Sequence, residues 1–263
     1  MYMIDPVVLS GKVPGILIRE PEGILFTELN SPALIILKTD AVQSDDLVRY
    51  GSFLSEKESV KSRRFRFPGD RMSYIAVHGL LRLMLGRYLG IPPETVDITY
   101  NEFGKPSVTG YSRQVFFNLS HSSGVSVLGF DPKNELGIDV ERMHEEFEYE
   151  SIVQLFFTKK EGRYIQHSKE ESRKRFYEIW TRKEAYLKAI GTGITENLRV
   201  EVLKERMNGK TAWDYGSGHS DFIFRSILFE QNYRITLAMN PGSGNIRLIV
   251  PGVDEKGISI KEG

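Results

Sequence analysis

The sequence sets two carboxylates two residues apart in Gly137-Ile138-Asp139-Val140-Glu141, and a carboxylate and an amine four apart in Trp180-Thr181-Arg182-Lys183-Glu184-Ala185-Tyr186-Leu187-Lys188. The first stretch reads as a strand, in which alternate side chains share a face, so Asp139 and Glu141 project together and Ile138 and Val140 project the other way. The second reads as a helix, where residues four apart stack, so Glu184 and Lys188 stand side by side. Three hard oxygen donors with an ammonium nearby suit a Mg²⁺ site that handles a phosphate ester. Taken singly, each pair is also what a solvated strand face or a surface helix pair looks like. A third run adds weight: Phe116-Phe117-Asn118-Leu119-Ser120-His121-Ser122 is strand-like, ends in small polar groups and holds one of the five histidines.

These residues must be positioned by a packed scaffold. The 263 residues, 40% of them hydrophobic, suffice for one large domain or two modest ones. Thirty-five basic and thirty-five acidic residues cancel, which speaks against a globally basic surface for nucleic acid. The absence of cysteine excludes disulfides, thiolate metal sites and a cysteine nucleophile, and fits a reducing compartment. The first residues lack a basic-then-apolar leader, and no apolar run approaches the roughly eighteen residues a membrane span requires. A cytoplasmic protein with no membrane partner is expected.

The chain echoes itself. Phe53-Leu54-Ser55-Glu56-Lys57-Glu58 and Phe156-Phe157-Thr158-Lys159-Lys160-Glu161 share a pattern in which Ser or Thr is an N-cap and the Glu three later completes a capping box. Each precedes a long helix, about Met72 to Tyr88 and about Phe176 to Ile190, ended by Gly90 and Gly191. Upstream, the apolar run Leu34 to Leu37 stands where Gly137 to Glu141 stands in the second copy. Downstream, the strand-like runs Phe116 to Leu119 and Val125 to Phe130 match Phe222 to Leu228 and Tyr233 to Met239. The expected fold is α+β: two similar strand-helix-strand-strand halves related by a pseudo-twofold axis, residues 1–133 and 134–263, with a cleft at their interface. Residues 1–30, rich in Pro and Gly, read as an extended preface with one or two strands. The tail beyond Pro251 reads as peripheral.

The ordered set Gly104-Lys105-Pro106, Asn118 to Ser122, Gly137 to Glu141 and Trp180 to Gly191 resembles the 4′-phosphopantetheinyl transferases, and the two-half length resembles their surfactin-synthetase-activating type. The resemblance spans roughly residues 50 to 240. It implies transfer of the 4′-phosphopantetheine arm of coenzyme A to a serine of an acyl or peptidyl carrier protein, releasing 3′,5′-ADP. By this resemblance Asp139, Glu141 and Glu184 hold Mg²⁺ or Mn²⁺, Lys188 stabilises or protonates the leaving oxygen, and Glu184, directly or through a metal-bound water, takes the serine proton. Lys105, Ser120 and His121 match positions on the nucleotide's phosphates. The basic cluster Lys57, Lys61, Arg63, Arg64, Arg66 and Arg71 is the candidate for the 3′-phosphate, led by Lys61 and Arg64. Here the pair of lysines often seen three apart before the Arg-Arg-Phe segment reads Glu58 and Lys61.

By the resemblance Phe156, Phe157 and the charged segment Gln166 to Arg175 are candidates for meeting an acidic carrier, with the phenylalanines reading equally as core and the charges as those of a solvated loop, and Lys183 is a candidate for touching phosphate or carrier. With both halves of the cleft in one chain, a monomer is expected. The competing readings are a noncatalytic coenzyme A or carrier-binding module, another Mg²⁺-dependent nucleotide pyrophosphate enzyme, and nucleic-acid binding through Arg63 to Arg71.

Overall fold

The computed structural model describes residues 7–8, 29–193, 196–203, 222–243 and 246–249; most of the preface and the whole tail beyond Pro251 lie outside them. The first half runs β2 (Ala33–Lys38), α1 (Ser44–Ser52), α2 (Glu56–Ser62), α3 (Pro68–Leu89), a short hairpin β3–β4 (Thr99–Tyr100, Pro106–Ser107), then β5 (Phe116–Ser122) and β6 (Val125–Asp131). The second runs β7 (Leu136–Arg142), α4 (Glu150–Phe156), α5 (Lys159–Gln166), α6 (Ser172–Ile190), then β8 (Ile223–Phe229) and β9 (Tyr233–Met239). In each half the first strand pairs antiparallel with the second strand of the hairpin: β2 with β6, β7 with β9. The remaining strands cross over: β1 (Val7–Val8) joins β8 in parallel, and β10 (Arg247–Ile249) joins β2. The sheet orders are β1-β8-β9-β7 and β10-β2-β6-β5.

Both expected capping boxes form. Ser55 and Thr158 accept from the amides of Glu58 and Glu161, whose carboxylates accept from the capping residues' own amides. Both long helices end on glycines in the left-handed region, Gly90 at φ 73° and Gly191 at φ 72°, a termination that glycine makes without strain. The segment 166–175, whose charges also read as those of a loop, ends α5 at Gln166 and is helical again from Ser172, because Phe176, one turn on, is buried against Tyr149 and Phe157 and anchors the start of α6.

Strand alternation sorts the core. Ala33, Ile35 and Leu37 of β2 face α3, whereas Leu34 and Ile36 meet Ile138, Val140, Ile235 and Leu237 between the sheets. A strand buried on both faces has no polar positions, which is why 34–37 is purely aliphatic. In β7 the same alternation sends Ile138 and Val140 to the intersheet core and leaves Gly137, Asp139 and Glu141 under α6. A Cβ on Gly137 would lie 2.0 Å from the Ala185 carbonyl oxygen and 2.3 Å from the Ala189 nitrogen. Glycine there lets helix and strand backbones touch, and so sets the height of Glu184 and Lys188 above the strand carboxylates. Among the described residues no helix is long and apolar enough to cross a membrane.

Candidate active site

Asp139 is buried at the centre of β7, and Lys188 reaches it from the last turn of α6, with Nζ 2.7 Å from Oδ1. The same ammonium donates to Ser120 Oγ at 2.9 Å, and Ser120 donates to Asp139 Oδ1 at 3.0 Å. Glu184, one turn before Lys188, is buried on the same helix face. Glu141 is half-buried and accepts from Ser122 Oγ at 3.0 Å and from the Trp180 indole N–H.

The electrostatics are those of crowded acids. Burial, and then the charge of Asp139, push Glu184 up to about 7 against the pull of Lys188. The same two causes raise Glu141, and burial raises Asp139 even though Lys188 and Ser120 counter it. One ammonium does not balance three carboxylates in a low-dielectric pocket. Asp139 Oδ2 and Glu184 Oε1 are buried with no hydrogen-bond partner among the described residues, a costly state for acceptors unless something cationic or hydrogen-bonding meets them. Hard oxygens, two of them orphaned, fit a divalent cation. They do not form a closed cage: among the described residues no three His, Asp or Glu side chains are gathered into a metal-binding cluster. Lys188 is bonded to Oδ1 of Asp139, which leaves Oδ2 as the open oxygen.

A cleft of about 470 Å³ opens over Glu184 and Lys188 and is lined from the first half by Lys61, Lys105 and Asn118. A neighbouring cleft of about 620 Å³ also takes in Lys61 and is lined by His121. Lys61 thus stands where the two adjoin, its ammonium 5.2 Å from the Tyr74 ring centre. His121 is exposed in the second cleft. Arg64 is exposed and lines neither. Lys105 borders the first cleft, but its ammonium is engaged with Glu135 and with the Ala189 carbonyl at the end of α6.

One expectation needs correction, and one open reading is decided. Lys183 is fully buried rather than available to phosphate or carrier: it pairs with Glu161 at 2.9 Å and donates to the carbonyls of Leu198 and Val200. Phe157 is buried in a ring stack with Phe176 and Trp180, so it is core, while Phe156 is half-buried. The departure at Glu58 also has a structural cause. Its carboxylate caps α2 and meets the buried Arg82 guanidinium, with His78 Nδ1 at 3.5 Å. Among functional neighbours, sequence reasoning does not single out Ser122; its signal is the recurrence of small polar residues at every second position of β5.

The chain matches the sequence profile of the 4′-phosphopantetheinyl transferase superfamily over residues 135–238 and that of the 4′-phosphopantetheinyl transferase N-terminal region over 41–133. It is 30% identical over 201 residues to a phosphopantetheinyl transferase of Thraustochytrium, covering 71% of this chain and 70% of the relative. It is 35% identical over 152 residues to the 4′-phosphopantetheinyl transferase HetI of Nostoc, covering 57% and 64%. The human L-aminoadipate-semialdehyde dehydrogenase-phosphopantetheinyl transferase is 25% identical over 251 residues, covering 87% and 77%. The chain spans just under two thirds of the length of its cyanobacterial relatives, 65% and 64%. The protein belongs to the 4′-phosphopantetheinyl transferase superfamily, an α+β fold in which both halves contribute to the match.

Proposed function

We propose that the protein transfers the 4′-phosphopantetheine arm of coenzyme A to a serine of an apo acyl or peptidyl carrier protein, acting as a cytoplasmic monomer. The serine oxygen bonds to the phosphorus on the pantetheine side, the bond from that phosphorus to the bridging oxygen breaks, and 3′,5′-ADP leaves with that oxygen. The observation that carries this reading is the buried Asp139–Lys188 pair beside Glu184, at the floor of a cleft lined by both halves.

A Mg²⁺ held by Asp139, Glu141 and Glu184, replaceable by Mn²⁺, would supply charge neutralisation at the pyrophosphate. Lys188 gives the departing 3′,5′-ADP oxygen a positive charge or a proton, and its stem is held in place by α6 packing on Gly137. Glu184 accepts the serine proton; burial and Asp139 raise its carboxyl to about 7 while no cation is bound, and a cation it holds would lower it. Lys61 and His121 bind the phosphates from the first half, with Arg64 reaching in from solvent. Ser120 steadies Lys188 and Asp139. Three acids together with Lys188 argue against a noncatalytic module, because binding alone does not require the full set.

The test is intact-mass spectrometry of an apo carrier protein incubated with coenzyme A, Mg²⁺ and this protein, beside a chelator control. The expected result is a metal-dependent gain of one phosphopantetheinyl arm on the carrier serine. No gain on fatty-acid, polyketide or peptide carriers would sink the proposal.

A further inference from the structure

Strands β5 and β7 belong to different sheets and share no backbone ladder, yet they run side by side where the halves meet. The gap is bridged by side chains. Asn118 Oδ1 accepts from the Ile138 amide at 3.2 Å, Ser120 Oγ from Val140 at 3.3 Å and Ser122 Oγ from Arg142 at 3.1 Å. These three residues project from one face of β5, two positions apart, and satisfy amides two positions apart on the edge of β7. A short polar side chain spans the gap at each position, where a backbone carbonyl would need the strands closer; at Ile138 and Val140 an apolar side chain would leave a buried donor unpaired, whereas the Arg142 amide is exposed.

The two serines do something the asparagine does not. Each passes its own proton on to the carboxylate preceding the amide it receives from: Ser120 to Asp139 Oδ1 and Ser122 to Glu141 Oε2. A hydroxyl that accepts from the backbone still has one O–H to donate, and in both serines it lies within reach of the carboxylate. The bond that joins the halves therefore also fixes a rotamer of a carboxylate. For Glu141, on a longer and half-buried side chain, this restraint weighs more, because among the described residues its hydrogen-bond partners are Ser122 and the Trp180 indole.

We propose that Ser122 is a positioning residue for the cation, aligning Glu141 while it ties β7 to β5. This rests on Asp139, Glu141 and Glu184 being the cation ligands. Outer-shell partners of metal ligands change affinity by about 10–100-fold when removed, and Ser122 stands in that relation to Glu141.

The test compares two variants of nearly equal shape, Ser122→Thr and Ser122→Val, by Mn²⁺ titration of the full-length protein followed by electron paramagnetic resonance, without coenzyme A or carrier. The threonine variant should bind Mn²⁺ as wild type does, and the valine variant about tenfold more weakly. In turnover the valine variant should need more Mg²⁺ for half-maximal rate and recover most of kcat at saturation. A purely structural bridge would lower the melting temperature of the valine variant without moving Mn²⁺ affinity, and that result overturns the proposal. Should Ser122→Val not fold, Ser122→Ala is measured against Ser122→Thr with the same criterion. Failure of wild type itself to bind Mn²⁺ would instead remove the cation reading of the site, and this inference with it.

Discussion

The two halves use one frame to opposite electrostatic ends. Ile35 pairs across to Leu128 as Asp139 pairs to Thr236, and Leu37 to Ser126 as Glu141 to Arg234. The offset that carries Gly90 onto Gly191 also carries Leu83 onto Glu184. Under α3 the three positions are thus Ile35, Leu37 and Leu83, all buried in the first-half core; under α6 they are three acids. What both halves keep is the fastening of the long helix. In the first, Glu58 meets Arg82, which donates to the carbonyls of Pro93, Glu94 and Val96. In the second, Glu161 meets Lys183, which donates to Leu198 and Val200. The buried capping-box pair fixes the helix together with the segment just past its C-terminus, leaving the strand-facing side of that helix free to be apolar core in one half and a cluster of acids in the other.

The largest test of this division is to exchange roles at matched positions. Glu184→Ala should reduce arm transfer by about a thousandfold, while its thermal midpoint stays near wild type or rises in chelator. Leu83→Ala, at the equivalent place, should destabilise the protein by about 2–5 kcal/mol and leave the transfer rate of the folded fraction nearly unchanged. Parallel kinetics and denaturant melts of the two variants decide it; equal kinetic losses would show that the first-half position is not merely structural.

Next in size are the fastenings. Removing one partner of a buried pair strands the other charge, so Glu58→Gln and Lys183→Met should each cost about 3 kcal/mol in urea unfolding. Replacing both members of a pair by apolar residues of similar volume should cost much less, because no lone charge remains. If Lys183→Met lost transfer while keeping full stability, Lys183 would belong to the chemistry after all.

How much of this is legible in the sequence depends on the physics of each element. The capping boxes, the glycine ends of α3 and α6, the hairpins and the alternation that puts Asp139 and Glu141 on one face all depend on neighbours within a few residues, and those can be read. Helix α1 has few apolar positions to announce it; its Asp45, Asp46 and Arg49 suit the helix dipole, which is a weak signal. Lys183 reads as available because a lysine on a helix is normally solvated; its burial depends on Glu161, twenty-odd residues upstream, sharing the oxygen that caps α5, and on carbonyls brought in from beyond the helix. Ser122 escapes notice because a strand edge bridged by hydroxyls requires knowing which strand lies opposite. The crossing of β1 and β10 to the other half's sheet has no local signature at all.

The halves should also differ in their response to pH. Burial alone would raise Glu58, but His78, the Ser55 amide and Arg82 overcome it and hold the carboxyl at about 2. Glu58 therefore contributes stability that is complete above its ordinary value near 4.5 and is lost as pH falls through 2. Glu184 has the reverse sign. With its folded value near 7, it binds a proton more tightly folded than unfolded, so stability falls as pH rises from about 4.5 to 7. In chelator, Glu184→Gln should be more stable than wild type at pH 8 by about 1–3 kcal/mol and should lose that advantage at pH 5. Denaturant melts at the two pH values measure it, and an advantage of equal size at both would show that ionisation is not its source.

The smallest effect expected is at Lys105, where family resemblance and geometry point in different directions. The resemblance puts this lysine on the nucleotide's phosphates; its ammonium is spent on Glu135 and on the Ala189 carbonyl, one residue beyond Lys188, while Asn101 Nδ2 donates to Gly191 at 2.9 Å. A cation at a helix C-terminus satisfies carbonyls the helix leaves open. The β3–β4 hairpin of the first half therefore clasps the helix that carries the second half's chemistry. As a clasp, Lys105→Ala should cost about 1 kcal/mol of stability and lower coenzyme A affinity no more than threefold or so, with little change in its salt dependence. As a phosphate ligand, it would weaken coenzyme A binding about tenfold or more, flatten the salt dependence and leave the melting midpoint in place. Calorimetric titration of coenzyme A at two salt concentrations, set beside a melt, separates the two roles, because a charge that holds a helix end in the free protein cannot also be counted in full toward the ligand.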